Sequence, residues 1–179
     1  AGDANGWDHS DVLNSDDGVH FTGFMYLNQN GFKFCTQPDW KGTNYGGAFF
    51  GESEDNIMMT EPAGYYKVDV DLSAQTYTLT PITTIGIIGA ATPGGWDAET
   101  PLTYNEAERC WEVKDIALTA GECKFRANNE WVMQWGYDGE KFVFSNNAPA
   151  VQFVPEAGTY DIKLYAWANG YAKCEFIKK

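Results

Sequence analysis

The chain is short of positive charge. Twelve Lys and Arg stand against 25 Asp and Glu, leaving a formal net charge of −13. No basic run offsets the deficit, and such a surface opposes a phosphate backbone and an anionic membrane face alike, so nucleic acid is set aside as a partner. No apolar run approaches the length of a membrane span. Only two histidines occur, His9 and His20. There is no nucleophile elbow, zinc-protease helix motif or phosphate loop. The four cysteines (Cys35, Cys110, Cys123 and Cys174) include no C-x-x-C pair, which argues against a zinc site. No signal peptide is visible, since the chain opens on polar AGDANGWDHS. A mature or cloned fragment of a secreted protein has that opening, and so does a cytosolic protein. Sustained helical periodicity is missing throughout.

What is present is strand chemistry. Hydrophobic residues make up 44% and aromatics 16% of 179 residues, with 19 Gly and 7 Pro, enough for a packed core of strands joined by turns. The chain also repeats itself. Gly6-Trp7-Asp8 matches Gly95-Trp96-Asp97, Lys33-Phe34 matches Lys124-Phe125, Asp39-Trp40 matches Glu130-Trp131, and Tyr45-Gly46 matches Trp135-Gly136. Glu61 to Tyr66 matches Pro155 to Tyr160, in the same order. A repeat of this length is a duplicated domain, with its boundary near Ile82-Thr83-Thr84.

Within each copy, period-2 alternation marks the strands. Tyr66, Val68, Val70 and Leu72 alternate with charged residues, as do Tyr160, Ile162 and Leu164. Each run is followed by a turn and a last strand, 76–82 or 171–177. Val19 to Leu27 and Cys110 to Thr119 read as further strands. The expected fold is all-β: two tandem immunoglobulin-like β-sandwich domains, 1–82 and 83–179. Thr84 to Gly89 reads as a buried first strand of copy two. Copy one begins where that strand ends, so it is expected to lack its first strand, as a larger protein cut just inside this domain would. Strand alternation turns Cys123 and Cys174 toward one core, where two buried reduced thiols are expected in preference to a disulfide.

Candidate binding residues cluster around CKFRANNEWVMQWG, residues 123–136. Indole and phenol rings offer flat apolar platforms for the C–H face of a sugar, and Arg, Lys and Asn serve its hydroxyl rim. Copy two offers Trp96 and Trp135 as platforms, Arg126 and Lys124 on the strand between them, and Asn146 and Asn147 in the following loop. Copy one offers Trp7, Tyr45, Lys33 and Asn56, with Cys35 where copy two has Arg126. A solvated strand face is the alternative for Arg126 and Lys124. Trp40 and Trp131, each beside an acid, are expected to pack under the loop, and Trp111 and Trp167 to lie in the core. The acidic cluster Asp3, Asp8, Asp11, Asp16 and Asp17 lacks calcium-loop spacing and reads as loop solvation. Counting alone does not exclude a glycosidase-type carboxylate pair.

The run IGIIGAATPGGWD…CKFRANNEWVMQWG…PEAGTYDIKLY resembles the repeated domains of SusE/SusF-type outer-membrane lipoproteins of the starch-utilisation systems of Bacteroides-like bacteria. The resemblance covers both copies and is clearer in the second. It implies non-catalytic starch-binding β-sandwich modules, without a cofactor, displayed at the cell surface through an N-terminal lipid anchor beside outer-membrane glycan-uptake proteins. In that family two aromatics cup an α-glucan while a basic residue and an Asn bond its hydroxyls. This implies Trp96, Trp135, Arg126 and Asn146 or Asn147 in copy two. In copy one it implies Trp7, Tyr45 and Asn56, with Cys35 in the Arg position, so that this site is expected to be weaker or to use Lys33 or Lys41. A different glycan, an adhesion or spacer module contacting protein, or an enzyme with facing carboxylates are the competing readings.

Overall fold

The computed structural model describes residues 1–146, 152–154 and 156–179. The chain divides into two compact units, Ala1–Ile82 and Thr83–Lys179. Among the described residues there is no α-helix; a single 3-10 turn, Asp3–Asn5, precedes the strands. No helix among them is long and apolar enough to cross a membrane.

The first unit holds β1 (His20–Leu27), β2 (Phe34–Cys35), β3 (Asn44–Gly46), β4 (Gly51–Glu52), β5 (Gly64–Asp71) and β6 (Thr76–Ile82). They form two three-stranded antiparallel sheets, β1-β5-β6 and β2-β3-β4. Alternation fixes which face is buried. Tyr66, Val68 and Val70 of β5 stand opposite Met25, Gly23 and Phe21 of β1, and side chains of directly opposed residues share a face. That face meets Phe32, Ile57 and Met59 in the core. The chain outside these ladders adds isolated bridges, Gly2 with Phe32, Phe32 with Ile57, and Asn14 with Thr22 of β1.

The second unit holds β7 (Ile85–Ile88), β8 (Thr100–Asn105), β9 (Cys110–Leu118), β10 (Gly121–Ala127), β11 (Gln134–Tyr137), β12 (Phe142–Ser145), β13 (Gln152–Val154), β14 (Gly158–Ala168) and β15 (Tyr171–Lys178). Here one continuous path runs β12-β11-β10-β7-β8-β9-β14-β15, with β13 paired to β10 beside it. The path curls until β12 packs against β15, giving a sandwich-like, nearly closed barrel. Inside lie Ile85, Ile87, Ile88, Phe125, Ile162 and Leu164, none more than 2% exposed. β7 is buried on both faces because it is central in the path, which explains its unbroken apolar run.

Both units pin the same corner. Tyr66 Oη donates to the Pro62 carbonyl at 2.6 Å, and Tyr160 Oη to the Glu156 carbonyl at 2.9 Å. Each phenol thus ties the entry of a long strand, β5 or β14, to the chain four residues upstream. The β14–β15 turn uses Asn169 and Gly170 at φ of 52° and 88°, the left-handed pair that lets a two-residue hairpin follow the sheet twist. The four cysteines are free thiols. Trp111 is buried as a core residue and Trp167 is half-buried on β14.

Candidate functional site

The hairpin from β10 to β11 decides which indole is presented. Asn128 and Asn129 both take left-handed φ, 56° and 57°, which Asn tolerates better than most residues. They reverse the chain, and the ladder resumes with Arg126 opposite Gln134 and Phe125 opposite Trp135. Phe125 faces the core, so Trp135 does too.

Trp135 is 1% exposed, and its Nε1 donates to the Ala166 carbonyl at 3.1 Å. This corrects the expectation that Trp135 is a platform. Trp131, expected to be packing, sits instead in the loop outside the ladder and is 44% exposed. Trp131 and Trp96 lie side by side with centroids 6.5 Å apart and planes inclined at 43°.

The outer face of β10 supports Trp131 from below. Arg126 Cζ lies 4.4 Å from the ring centroid and Lys124 Nζ 5.5 Å. Such cation–π contacts contribute roughly 0.5–2 kcal/mol each, more when desolvated. Neither cation is a solvated strand residue. Arg126 Nε donates to Glu99 Oε2 at 2.6 Å, with both side chains nearly buried. Gly86 stands opposite Arg126 in the β7–β10 ladder. A Cβ there would fall 2.5 Å from the Glu99 carboxyl carbon, so glycine leaves the space the carboxylate fills. Lys124 donates to Gln134 Oε1 at 2.9 Å, and Gln134 Nε2 donates to the Trp131 carbonyl, tying the loop to the strand below. Burial pushes the Lys124 ammonium below its ordinary pKa.

Trp96 is held from the other side. Thr92 N and Oγ1 both bond the Gly89 carbonyl at 2.9 Å, and Gly89 N bonds the Gly95 carbonyl at 2.9 Å. The loop is braced within itself, so the ring is placed before any ligand arrives. Asn146 is exposed at the end of β12. Asn147 lies outside the described residues.

The first unit repeats the arrangement with different supports. Trp7 and Trp40 have centroids 6.4 Å apart and planes inclined at 51°. Trp7 is half-buried at φ of 61°, and Trp40 is 44% exposed, again against the expectation that Trp40 packs under its loop. Lys33 Nζ lies 5.2 Å from the Trp40 centroid, and the His9 ring meets Trp40 edge-on at 4.4 Å. Lys33 is buried; it donates to the Glu54 carbonyl at 2.6 Å and pairs with the Glu54 carboxylate at 3.7 Å. Asn44 Nδ2 reaches both Glu54 oxygens, at 3.0 and 3.1 Å. Asn44 occupies in the repeat the place of Gln134.

Tyr45 takes the place of Trp135 and turns inward likewise. It stands opposite Phe34 and stacks on Phe50 at 6.0 Å and 30°, so it is not a platform beside Trp7. Asn56 is half-buried near the Gly31 turn. Lys41 is exposed beside Asp39 at 3.9 Å. The acidic N-terminal residues brace loops: Asp3 accepts from Asn28 and Asn30, Asp11 from Asn5, and Asp17 from His20. No group of three or more His, Cys, Asp or Glu among the described residues is placed to hold a metal.

The candidate sites therefore consist of Trp96, Trp131, Lys124, Arg126 and Gln134 in one unit, and Trp7, Trp40, Lys33, Asn44 and His9 in the other. Trp131, Trp40, Gln134, Asn44, His9 and Glu99 carry no binding role in the sequence-based assignment. The hairpin register is the signal that finds the two indoles. Two inclined rings on braced loops offer adjoining apolar facets rather than a slot. No protein-family model matches the chain, and no curated protein matches it.

Proposed function

We propose that the chain binds a polysaccharide without chemistry, an α-glucan such as a malto-oligosaccharide, at one Trp-pair site in each unit. The observation that carries this reading is the recurrence of the pair. In both units an exposed loop indole rests on a buried lysine beside a second indole, at 6.4–6.5 Å and 43–51°. Large rings left partly in water cost hydrophobic stabilisation, and holding two of them at one angle twice in a chain fits a ligand with two apolar faces. Sugar rings present such faces. Inclined platforms follow a chain that turns from residue to residue, as α-linked glucose does, whereas coplanar platforms suit a flat ribbon. Paired loop rings, three of the four exposed, also speak against an adhesion module with scattered or buried loop aromatics. Glu99 is engaged in its ion pair with Arg126 and serves to position the platform.

Each site is shallow, so its own affinity is weak. Two sites on one chain raise retention on a polymer through effective concentration. The resemblance to SusE/SusF-type lipoproteins supports display at a bacterial cell surface through a lipid anchor, in support of glycan uptake. The paired tyrosine corners support an immunoglobulin-like origin for each sandwich.

The test is native electrophoresis through gels containing amylopectin, pullulan, dextran or a β-glucan. The expected result is retardation by the α-1,4-linked polymers, reduced by Trp96→Ala and by Trp131→Ala. No retardation on any α-glucan overturns the α-glucan assignment. Retention unchanged in both variants overturns the site.

A further inference from the structure

One position beside the Trp pairs carries different chemistry in the two units. Ser53 N donates to the Asn44 carbonyl at 2.9 Å, so Ser53 faces Asn44 as Ser145 faces Gln134 in the β11–β12 ladder. The next residue in the second unit is Asn146, whose amide both donates and accepts. In the first unit it is Glu54, whose ionised carboxylate only accepts.

Glu54 is exposed and yet held. Its side chain is 81% exposed, but the chain around it is tied down. Asp55 N donates to Ser53 Oγ at 3.0 Å, Gly47 N to the Asp55 carbonyl at 3.0 Å, and Lys33 Nζ to the Glu54 carbonyl at 2.6 Å. A Cβ on Gly46 would collide with the Asp55 carbonyl, so glycine lets this loop lie against β3. The carboxylate itself takes Asn44 Nδ2 at 3.0 and 3.1 Å and the Lys33 ammonium at 3.7 Å. Asn44 is 2% exposed. Turning its NH2 to Glu54 leaves Asn44 Oδ1 buried, with no hydrogen bond from the described residues, whereas Gln134 Oε1 accepts from Lys124. A buried acceptor without a donor costs stability. The first unit bears that cost while it fixes a carboxylate that stands in water.

The same ammonium lies under the platform. Lys33 Nζ is 5.2 Å from the Trp40 centroid, so ring and carboxylate share one support, and a disaccharide laid on the ring reaches both. Asn44 occupies one part of the carboxylate, and the remaining lone pairs of its two oxygens face solvent.

We propose that Glu54 sets the ligand choice of the first unit: its two carboxylate oxygens accept hydrogen bonds from two adjacent hydroxyls of a neutral sugar stacked on the Trp7–Trp40 pair. This contact presupposes the glycan reading of that pair. Hydrogen bonds to a carboxylate are about twice as strong as those between neutral groups. An acceptor fixed in advance also spares the ligand the cost of ordering it. A free vicinal diol supplies both donors. A sugar with those hydroxyls capped supplies none, and one carrying its own carboxylate there is repelled. Asn146 suits a donor or an acceptor, so the two units differ in what they select as well as in strength.

The probes are maltoheptaose and maltoheptaose methylated at its 2- and 3-hydroxyls. Each is titrated calorimetrically into the full chain carrying Trp131→Ala, which leaves the first site to be read by itself. Glu54→Gln keeps an acceptor for Asn44 and Lys33 and removes the charge. It should weaken maltoheptaose by about tenfold or more, the scale of a hydrogen bond to a charged group. With Glu54 intact, the methylated ligand should bind weaker by a similar factor and lose nothing more in Glu54→Gln. Maltoheptaose binding unchanged in Glu54→Gln overturns the proposal. Equal losses for the two ligands overturn it too, since a merely structural role weakens both. Full binding of the methylated ligand to the Glu54 chain overturns it without recourse to a Glu54 variant. A first site silent under Trp131→Ala overturns it and leaves the second site standing. Maltoheptaose bound by neither unit of the unsubstituted chain overturns the α-glucan reading along with it.

Discussion

Trp131 lies across the guanidinium of Arg126, with Cζ 4.4 Å from the ring centroid, and Arg126 in turn is locked to Glu99 at 2.6 Å. The exposed ring is therefore the top of a stack whose lower members are almost out of water. The position and tilt of the platform are set by a buried ion pair, while its outer surface remains available.

Trp131 and Trp135, four residues apart, should fail in opposite ways when truncated. Trp131→Ala removes a ring that is 44% exposed, so the unfolding midpoint in urea should move little while α-glucan retention in the second unit is lost. Trp135→Ala empties a core position that is 1% exposed, and should cost about 3–5 kcal/mol. Chemical denaturation beside affinity electrophoresis checks both. Retained binding in Trp131→Ala with lost binding in a folded Trp135→Phe would reverse the assignment.

Glu99→Gln strips the partner from a guanidinium whose side chain is only 12% exposed. Removing one member of a buried pair costs about 3–5 kcal/mol because the remaining charge stays desolvated. The double variant Glu99→Leu with Arg126→Met should recover most of that loss, since it leaves no orphan charge, yet it should still weaken glycan binding because the support under Trp131 is gone. A double-mutant cycle on unfolding free energy measures the coupling. Additive effects of the two single changes would contradict the pairing.

The long strands were legible in the sequence, and the exposed ring was misassigned for a physical reason. The alternation of Tyr66, Val68 and Val70 against charged neighbours marks β5, and the same pattern at Tyr160, Ile162 and Leu164 marks β14. Reading Trp135 as exposed because a glycine follows it ignores hairpin closure. Once Asn128 and Asn129 reverse the chain, Ala127 bonds back to Met133 and Phe125 falls opposite Trp135. Alternation then buries Trp135 and leaves Trp131 in the loop. Glu99 carries no such signal. It reaches Arg126 across 27 residues into space left by Gly86, and only the three-strand arrangement of β8, β7 and β10 creates that meeting.

His20 and Asp17 make a pH-dependent contact at the entry of β1. Nδ1 of His20 lies 2.7 Å from Asp17 Oδ2, and Nε2 lies 3.5 Å from Asp71 Oδ2. The hydrogen bond and charge of Asp17 push the His20 pKa above 6.5, and the hydrogen bond from His20 pushes Asp17 below 3.8. For His20 the stabilisation is fully present below 6.5 and is lost as pH rises through the raised folded value. For Asp17 it is present above 3.8 and is lost as pH falls through the depressed folded value. The contact is therefore fullest between those ordinary values. An NMR titration of the His20 ring should show a pKa above that of free histidine, returning toward it in Asp17→Asn. A native pKa at or below the free value contradicts the contact.

The core thiols should be inert in the folded protein. Burial pushes Cys123 and Cys174 up to about 12, and Cys110 to about 11. At pH 8 a thiol with a pKa near 12 is about one part in 10⁴ thiolate, the reactive form. A thiol reagent should therefore label these three slowly in the native state and rapidly in guanidinium. A mass shift showing Cys123 joined to Cys174 would contradict the free thiols of the fold.

The two Trp pairs should bind independently and unequally. In the second unit two cations lie under Trp131, whereas in the first Cys35 takes the place of Arg126 and Trp40 rests on Lys33 with the edge of His9 beside it. Lys33 is also committed to Glu54, at 2.6 Å to its carbonyl and 3.7 Å to its carboxylate, so fewer donors remain for sugar hydroxyls. Calorimetry with a short malto-oligosaccharide should give two sites, the weaker abolished by Trp40→Ala and the stronger by Trp131→Ala. On a long polymer each single variant should lose more than its own site's share, because the surviving site no longer gains from a tethered neighbour; a fall of about 10²-fold is the scale set by effective concentration. Polymer retention unchanged by Trp40→Ala would remove the first unit from the binding surface and leave the second as a single, weak site.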